Sequence, residues 1–420
     1  MRRRRAIALA LGIAAGTAVL AGGAWALTRT PPPPIRVGVL HSFQGTMAGS
    51  EGPVAKATLM AIAEINAAGG VLGRKVEAVQ ADGASEPRTF AEQAERLISK
   101  ERVATLFGCW TSASRKAVKT VVERHRNLLF YPVQYEGLES SPAIVYTGAS
   151  PNQQIIPAVS WCLEHLGHRV FLVGSDYVFP RTAHEIIKDQ LKARRATLAG
   201  EEYAPLGSSD FTAIAGKVAI ARPDVVLSTV NGDSNRAFFA ALRAAGLTSQ
   251  AVPTLSFSVA ENEVKRLSAE QMVGDYAAWN YFQSLRTPAN ARFVAAYRAR
   301  YGSDAITDDP SEAGYFGVHL WAQAVRDAGV AEPQAIRTAL ASQSFDAPEG
   351  TVTLDGATQH TWKTVRVGRI RADGQFEIVW SSERPVRPVP YPIFRSRAAW
   401  DGYLAELSRG WGGAWAKPPL

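Results

Sequence analysis

The side chains best suited to chemistry in this 420-residue chain gather in short loops, each following a run of β-forming residues. They are His41-Ser42, Gly108 to Ser114, Pro132 to Glu136, Gly174 to Phe179 and Asn231 to Asn235. Their content suits holding a small molecule better than breaking one. Cys109-Trp110-Thr111-Ser112-Ala113-Ser114 runs straight into a helical pattern, so a Ser112 or Ser114 hydroxyl is expected to cap that helix. The same turn offers backbone N–H groups from Ser112 through Ala113 to Ser114 to a carbonyl or carboxylate oxygen, with Trp110 as a flat wall beside them. Tyr131 immediately precedes the third of these loops and Gln134 lies within it, Tyr177 sits in the fourth, and Asn231 and Asp233 in the fifth.

Reaction machinery is missing from the same loops. The sequence has no G-x-S-x-G elbow, no phosphate loop and no G-x-G-x-x-G turn. Ser112 has no base placed beside it, which speaks against a hydrolase acting on small amides. His165 and His168 lie three apart at a helix end without an acidic neighbour, so they read as solvated residues rather than a metal site. The chain is therefore expected to be a binding protein and not an enzyme, with no cofactor and no metal.

The elements that must carry these loops alternate regularly. Ile35 to Leu40, Val76 to Val79, Val103 to Phe107 and Leu128 to Tyr131 read as strands, with helices at Val54 to Ala68, Pro87 to Ser99 and Ala113 to Arg126 between or after them. Beyond Gly148 the rhythm restarts with helices around Asn152 to Leu166, Arg181 to Arg194, Phe211 to Ala221 and Asn235 to Ala245, and strands at Val170 to Val173 and Val225 to Val230. Two such blocks predict an α/β fold of two doubly wound, mostly parallel-sheet lobes, with ligands beyond the carboxyl ends of the strands.

Hydrophobic residues are 46% and charged residues 20% of the chain, an ordinary globular balance. Of the net charge of +8, Arg2 to Arg5 supply four, so the body carries no basic face and nucleic acid is excluded as a partner. Those arginines, the apolar run Ala6 to Ala21 and Ala24-Trp25-Ala26 make residues 1–26 an export signal or an uncleaved signal anchor, which predicts a periplasmic body. Residues 27–34 form a proline-rich spacer, and Cys109 and Cys162 are expected as two buried thiols. Residues 396–420 form a tail marked by Trp400, Trp411 and Trp415.

The loops Gly108 to Lys116, Phe130 to Gly137, Pro151 to Gln154, Gly174 to Arg181 and Asn231 to Asn235 resemble those of the urea-binding proteins of bacterial ABC-type importers. Tyr276 to Phe282, Asp308 to Pro310 and Ser344 to Gly350 extend the likeness over nearly the whole body, and short-chain amide sensors form a related branch. The resemblance implies a type I periplasmic-binding-protein fold whose lobes are joined by a hinge crossed three times. It puts residues 35–149 with 279–349 in lobe one and 150–278 with 350–395 in lobe two. It also implies a guest such as urea sandwiched by Trp110 and Tyr177, bonded by Ser112, Tyr131, Gln134 and the backbone around Ala113, and enclosed by Asn231 and Asp233 on closure. The partners would be the permease subunits of an ABC transporter. Alternative guests are short-chain amides or branched-chain amino acids, the latter needing Asp233 or Glu136 for an α-ammonium; a membrane-tethered ligand sensor is the other alternative.

Overall fold

The computed structural model describes residues 32–267 and 269–417. The expected export signal and most of the spacer lie outside the described residues. The first run of the chain is β1 (Ile35–His41), α1 (Ala48–Ala67), β2 (Val76–Asp82), α2 (Pro87–Ser99), β3 (Leu106–Gly108), α3 (Ser112–Arg124), β4 (Leu129–Tyr131) and β5 (Ile144–Tyr146). A second run contains α4 (Ile155–His165), β6 (Arg169–Ser175), α5 (Val178–Ala193), β7 (Thr197–Ala204), α6 (Thr212–Ala221), β8 (Val225–Thr229), α7 (Ser234–Ala244), β9 (Thr254–Ser256), α8 (Glu261–Leu267) and β10 (Tyr276–Trp279). The chain then returns through α9 (Pro288–Tyr301), α10 (Asp309–Ala328), α11 (Pro333–Leu340), β11 (Ser344–Ala347), β12 (Gly350–Asp355) and β13 (His360–Trp362). It finishes with β14 (Arg366–Ile370), β15 (Phe376–Ser381) and α12 (Arg397–Gly410).

These elements build two sheets, ordered β11-β12-β13-β5-β4-β3-β1-β2 and β15-β14-β10-β9-β8-β6-β7. The central pairs of each are parallel, and antiparallel strands are added at one edge. The short strands β3, β4, β5, β8 and β9 are buried throughout, the continuous apolar run expected of a sheet covered on both faces. Each sheet with its helices forms a lobe with its own apolar clusters, so the two-lobe α/β reading holds. Cys109 and Cys162 are free and buried in different clusters.

Two expected boundaries move. Residues 350–362 belong to lobe one, because β12 folds back on β11 as a tight hairpin and β13 then pairs with β5. The third crossing thus falls between Trp362 and Arg366. Residues 396–417, set apart as a tail in the sequence, join lobe two: α12 packs on it through Trp400 and Leu404, and Trp400 Nε1 donates to the Pro392 carbonyl at 2.9 Å.

One side chain ties the three crossings together. Asn280, just past β10, donates through Nδ2 to the carbonyls of Gln153 (3.1 Å) and Thr364 (3.0 Å), which lie on the first and third crossings. Asp309 accepts the Asn280 and Tyr281 N–H groups at 2.9 and 2.8 Å, so a buried side chain pairs both backbone donors at the second crossing.

Beside the hinge, His360 stacks on Tyr146 with centroids 4.1 Å apart and planes 5° apart. Its Nδ1 lies 2.7 Å from the Thr358 carbonyl, which only accepts, so Nδ1 carries the proton and Nε2 accepts from the Tyr135 hydroxyl at 2.5 Å. Burial lowers the pKa of His360 to about 4. The unfolded chain therefore binds an extra proton between about pH 4 and 6.5, and this residue's contribution to stability is lost as pH falls through that window. Relative to His360→Gln, the wild type should lose up to about 3 kcal/mol between pH 6.5 and 4 in paired denaturant titrations. Parallel pH profiles for the two proteins would refute this assignment.

Candidate functional site

The loop after β3 is shaped by a glycine that nothing can replace. Gly108 has φ +151°, and a Cβ there would come within 1.9 Å of the Leu40 carbonyl oxygen of β1. Cys109 follows at φ +67°, a left-handed conformation unusual for a residue with a side chain. This reversal delivers Trp110, whose carbonyl accepts the Tyr131 hydroxyl at 2.6 Å. Thr111 caps α3, its Oγ1 accepting the Ser114 N–H at 3.1 Å, so the expected Ser112 or Ser114 cap is replaced by the residue before them. The Ser114 amide is thereby used, while Ser112 and Ala113 remain as the first-turn amides that a helix cannot satisfy itself.

Ser112 is also occupied on its side chain. Its hydroxyl donates to Glu136 and accepts from Arg115 Nη1 at 2.8 Å, so it positions charged groups rather than offering a free hydroxyl to a guest. Arg115 and Glu136 are wholly buried and meet at 2.9 Å. Arg115 Nε reaches Glu139 at 2.9 Å, and Lys116 Nζ lies 3.2 Å from Glu139 and 4.0 Å from Glu136. Burial alone would strip the Arg115 charge, but Glu139 and Glu136 outweigh it and hold the guanidinium firmly protonated. Burial likewise opposes the Glu139 charge, and Arg115 and Lys116 hold its carboxyl far below the usual range. The Tyr131 and Tyr135 rings flank the guanidinium at 5.0 and 4.4 Å. Two cations and two carboxylates cancel, so this cluster in lobe one is polar but carries no net charge. The sequence reading missed this tetrad, although Arg115, Lys116 and Glu136 stand inside the stretches it singled out and Glu139 lies two residues beyond Gly137.

Gln134 and Trp110 reach across to lobe two. Gln134 Nε2 donates to the Phe257 carbonyl at 2.7 Å, which fixes its amide orientation and leaves Oε1 buried without a hydrogen-bond partner. Trp110 Nε1 approaches Asn231 Oδ1 at 3.4 Å. Asn231 is held by its own N–H to Ser175 Oγ (3.1 Å) and by Nδ2 to the Thr229 carbonyl (3.0 Å). Tyr177 is buried at the start of α5; burial, with Tyr131 and Glu136 adding to it, pushes its phenol pKa well above the ordinary value, so the hydroxyl stays protonated. The lobes are thus closed on one another, with Trp110, Tyr131, Gln134, Tyr177 and Asn231 assembled between them. Asp233 is not among them: its exposed carboxylate pairs with Arg266, and only its backbone N–H meets lobe one, at the Thr46 carbonyl. At the end of β1 the structure adds a further buried pair, His41 Nδ1 with Glu51 Oε2 at 3.2 Å, of which sequence reasoning had marked only the histidine.

A model described as "Periplasmic binding protein domain" matches residues 35–397. The chain belongs to this family. Its members act outside the cytoplasmic membrane as solute-binding proteins, and among the described residues no helix is long and apolar enough to cross a membrane. This periplasmic binding protein is 23% identical over 332 residues to a Leu/Ile/Val-binding protein homolog 8 of Brucella abortus, spanning 75% of this chain and 81% of the relative. Shorter stretches match a limonene hydroxylase of Geobacillus stearothermophilus (32% over 124 residues) and a Leu/Ile/Val-binding protein homolog 7 of Brucella abortus (38% over 89 residues). The chain spans 23% and 22% of the lengths of those two proteins. The fold matches an R. palustris solute-binding protein crystallised with 4-hydroxybenzoate, at TM-score 0.75 and 23% identity over 83% of this chain and 97% of that one. It also matches a Streptococcus pneumoniae branched-chain amino acid binding protein crystallised with isoleucine, at TM-score 0.73 and 20% identity over 84% of this chain and all of the other.

Removing one member of the buried tetrad leaves its partners charged and dry. Arg115→Met should lower the unfolding free energy by about 3–5 kcal/mol in guanidinium chloride titrations. A loss below 1 kcal/mol would mean that the ion pairs are not what fixes α3 to the loop after β4.

Proposed function

We propose that this periplasmic binding protein captures urea, or an amide of similar size, between its lobes and presents it to the permease subunits of an ABC transporter. The observation that carries the reading is the charge balance of the lobe-one wall: Arg115 and Lys116 face Glu136 and Glu139, and the sum is zero. A neutral guest entering such a cleft gives up only hydrogen bonds to water that the site can replace, whereas a carboxylate would also lose the hydration of its charge with no cation left to pair it. The buried Gln134 Oε1 supplies an acceptor for an N–H, the first-turn amides of Ser112 and Ala113 supply donors for a carbonyl oxygen, and the aromatic faces of Trp110 and Tyr177 suit a planar body. A guest lacking that N–H would strand the Gln134 oxygen at a cost of about 1–3 kcal/mol. The loop likeness to urea-binding proteins points the same way.

An amino-acid or aromatic-acid guest is the second reading, favoured by the names of the relatives and of the ligands in the matching structures. An amino acid asks for a carboxylate free to meet its α-ammonium, yet of the two loop carboxylates singled out Asp233 is engaged by Arg266 and Glu136 by Arg115; an aromatic acid asks instead for a cation, and Arg115 and Lys116 are paired with Glu136 and Glu139. Calorimetric titration of the purified body with urea, acetamide, leucine and 4-hydroxybenzoate separates the two. Urea should bind with an affinity unaffected by salt, and Trp110→Ala or Gln134→Ala should weaken it at least about tenfold, or 1.4 kcal/mol. Leucine or 4-hydroxybenzoate binding without a urea response would overturn the reading.

A further inference from the structure

The chain continues beyond residue 397, where the family match ends, into α12 and a segment that returns to the cleft. The helix is fixed to lobe two: Trp400 is fully buried there, and Arg395 pairs with Asp189 at 2.6 Å and Glu185 at 2.7 Å on α5. After it, the backbone runs antiparallel to the loop that carries Tyr177. The Trp415 carbonyl accepts the Val178 N–H at 2.9 Å, the Lys417 N–H donates to the Asp176 carbonyl at 3.2 Å, and Ala416 bridges Tyr177. Val178 opens α5, so its amide is one that the helix cannot satisfy alone. The Trp415 ring then meets the other lobe: Lys116 Nζ, a member of the buried tetrad, lies 4.5 Å from its centroid. Ala113 and Leu138 of lobe one join the apolar cluster that holds Tyr177, Trp411 and Trp415.

We propose that residues 411–417 are a latch, anchored on lobe two, that positions the Tyr177 loop and holds the lobes closed through the contact of Trp415 with Lys116. The proposal rests on the reading above only for the guest's identity. Hydrogen bonds to both sides of Tyr177 fix the loop from lobe two, and the Trp415 ring lies against the ammonium of Lys116. Opening the cleft must separate the ring from the ammonium, so the contact acts on the open–closed equilibrium and on release of the guest.

The test uses the body with Glu92→Cys on α2 and Lys192→Cys on α5, exposed sites on opposite lobes; the two native thiols are buried and escape labelling. Spin-label distances are measured with and without urea in this background, in Trp415→Ala, in Trp415→Phe and in a chain ended after Gly413. Trp415→Ala and the shortened chain should show a longer inter-lobe distance population and, by calorimetry, about tenfold weaker urea binding. Trp415→Phe should keep most of both, and circular dichroism should be unchanged in all. Distance distributions equal to wild type in Trp415→Ala and in the shortened chain would overturn the latch. If urea gives no heat with wild type, the guest assignment fails while the ligand-free distances still judge the latch.

Discussion

Four buried charges hold this molecule's working parts in place. Arg115 and Lys116 on α3 face Glu136 and Glu139 on the loop after β4, and each of these ions costs several kcal/mol to remove from water. Only mutual pairing, with Ser112 and Tyr146 taking remaining bonds on the carboxylates, makes the arrangement tolerable. The geometry that satisfies it also fixes the start of α3 relative to Tyr131 and Gln134. Site shape and site charge therefore have one cause: the network that aligns the loops leaves them neutral.

Closure joins neutral polar contacts across the cleft to the proposed contact of Trp415 with Lys116. Trp110 meets Asn231 and Gln134 meets the Phe257 carbonyl across the cleft, while Asn280 gathers the three hinge crossings at its base. Neutral hydrogen bonds of this kind contribute modestly each, about 1 kcal/mol, which suits lobes that must also open. On the proposed reading, a guest that supplies an N–H to Gln134 and a flat face to the aromatic rings would add to the closed state alone. Binding and closing are then one equilibrium, which is what a transporter needs in order to distinguish a loaded protein from an empty one.

The alternation of buried strands and amphipathic helices made the two lobes legible in the sequence, because fully covered parallel strands leave continuous apolar runs. The third crossing was not legible: β11 is the edge strand with β12 beside it, both short and partly exposed, and nothing local says which sheet such a hairpin joins. Among the site residues, Trp110, Tyr131, Gln134, Tyr177 and Asn231 stand together because strand ends in this architecture converge. Asp233 and the Ser112 hydroxyl were misjudged for the opposite reason, since their partners, Arg266 and Glu136, lie 33 and 24 residues away and only the folded chain brings them near. The same holds for Trp415, whose role depends on a lysine nearly 300 residues earlier.

The central claim is that a neutral, planar, hydrogen-bonding guest fits between the two lobes beside a self-cancelling set of charges. A crystal structure of the protein grown with urea tests it most directly. The account predicts urea between the rings of Trp110 and Tyr177, an N–H on Gln134 Oε1, and the Arg115–Glu136 and Arg115–Glu139 pairs unbroken. A cleft filled by the protein's own side chains, or a guest carboxylate displacing Glu136 from Arg115, would contradict it.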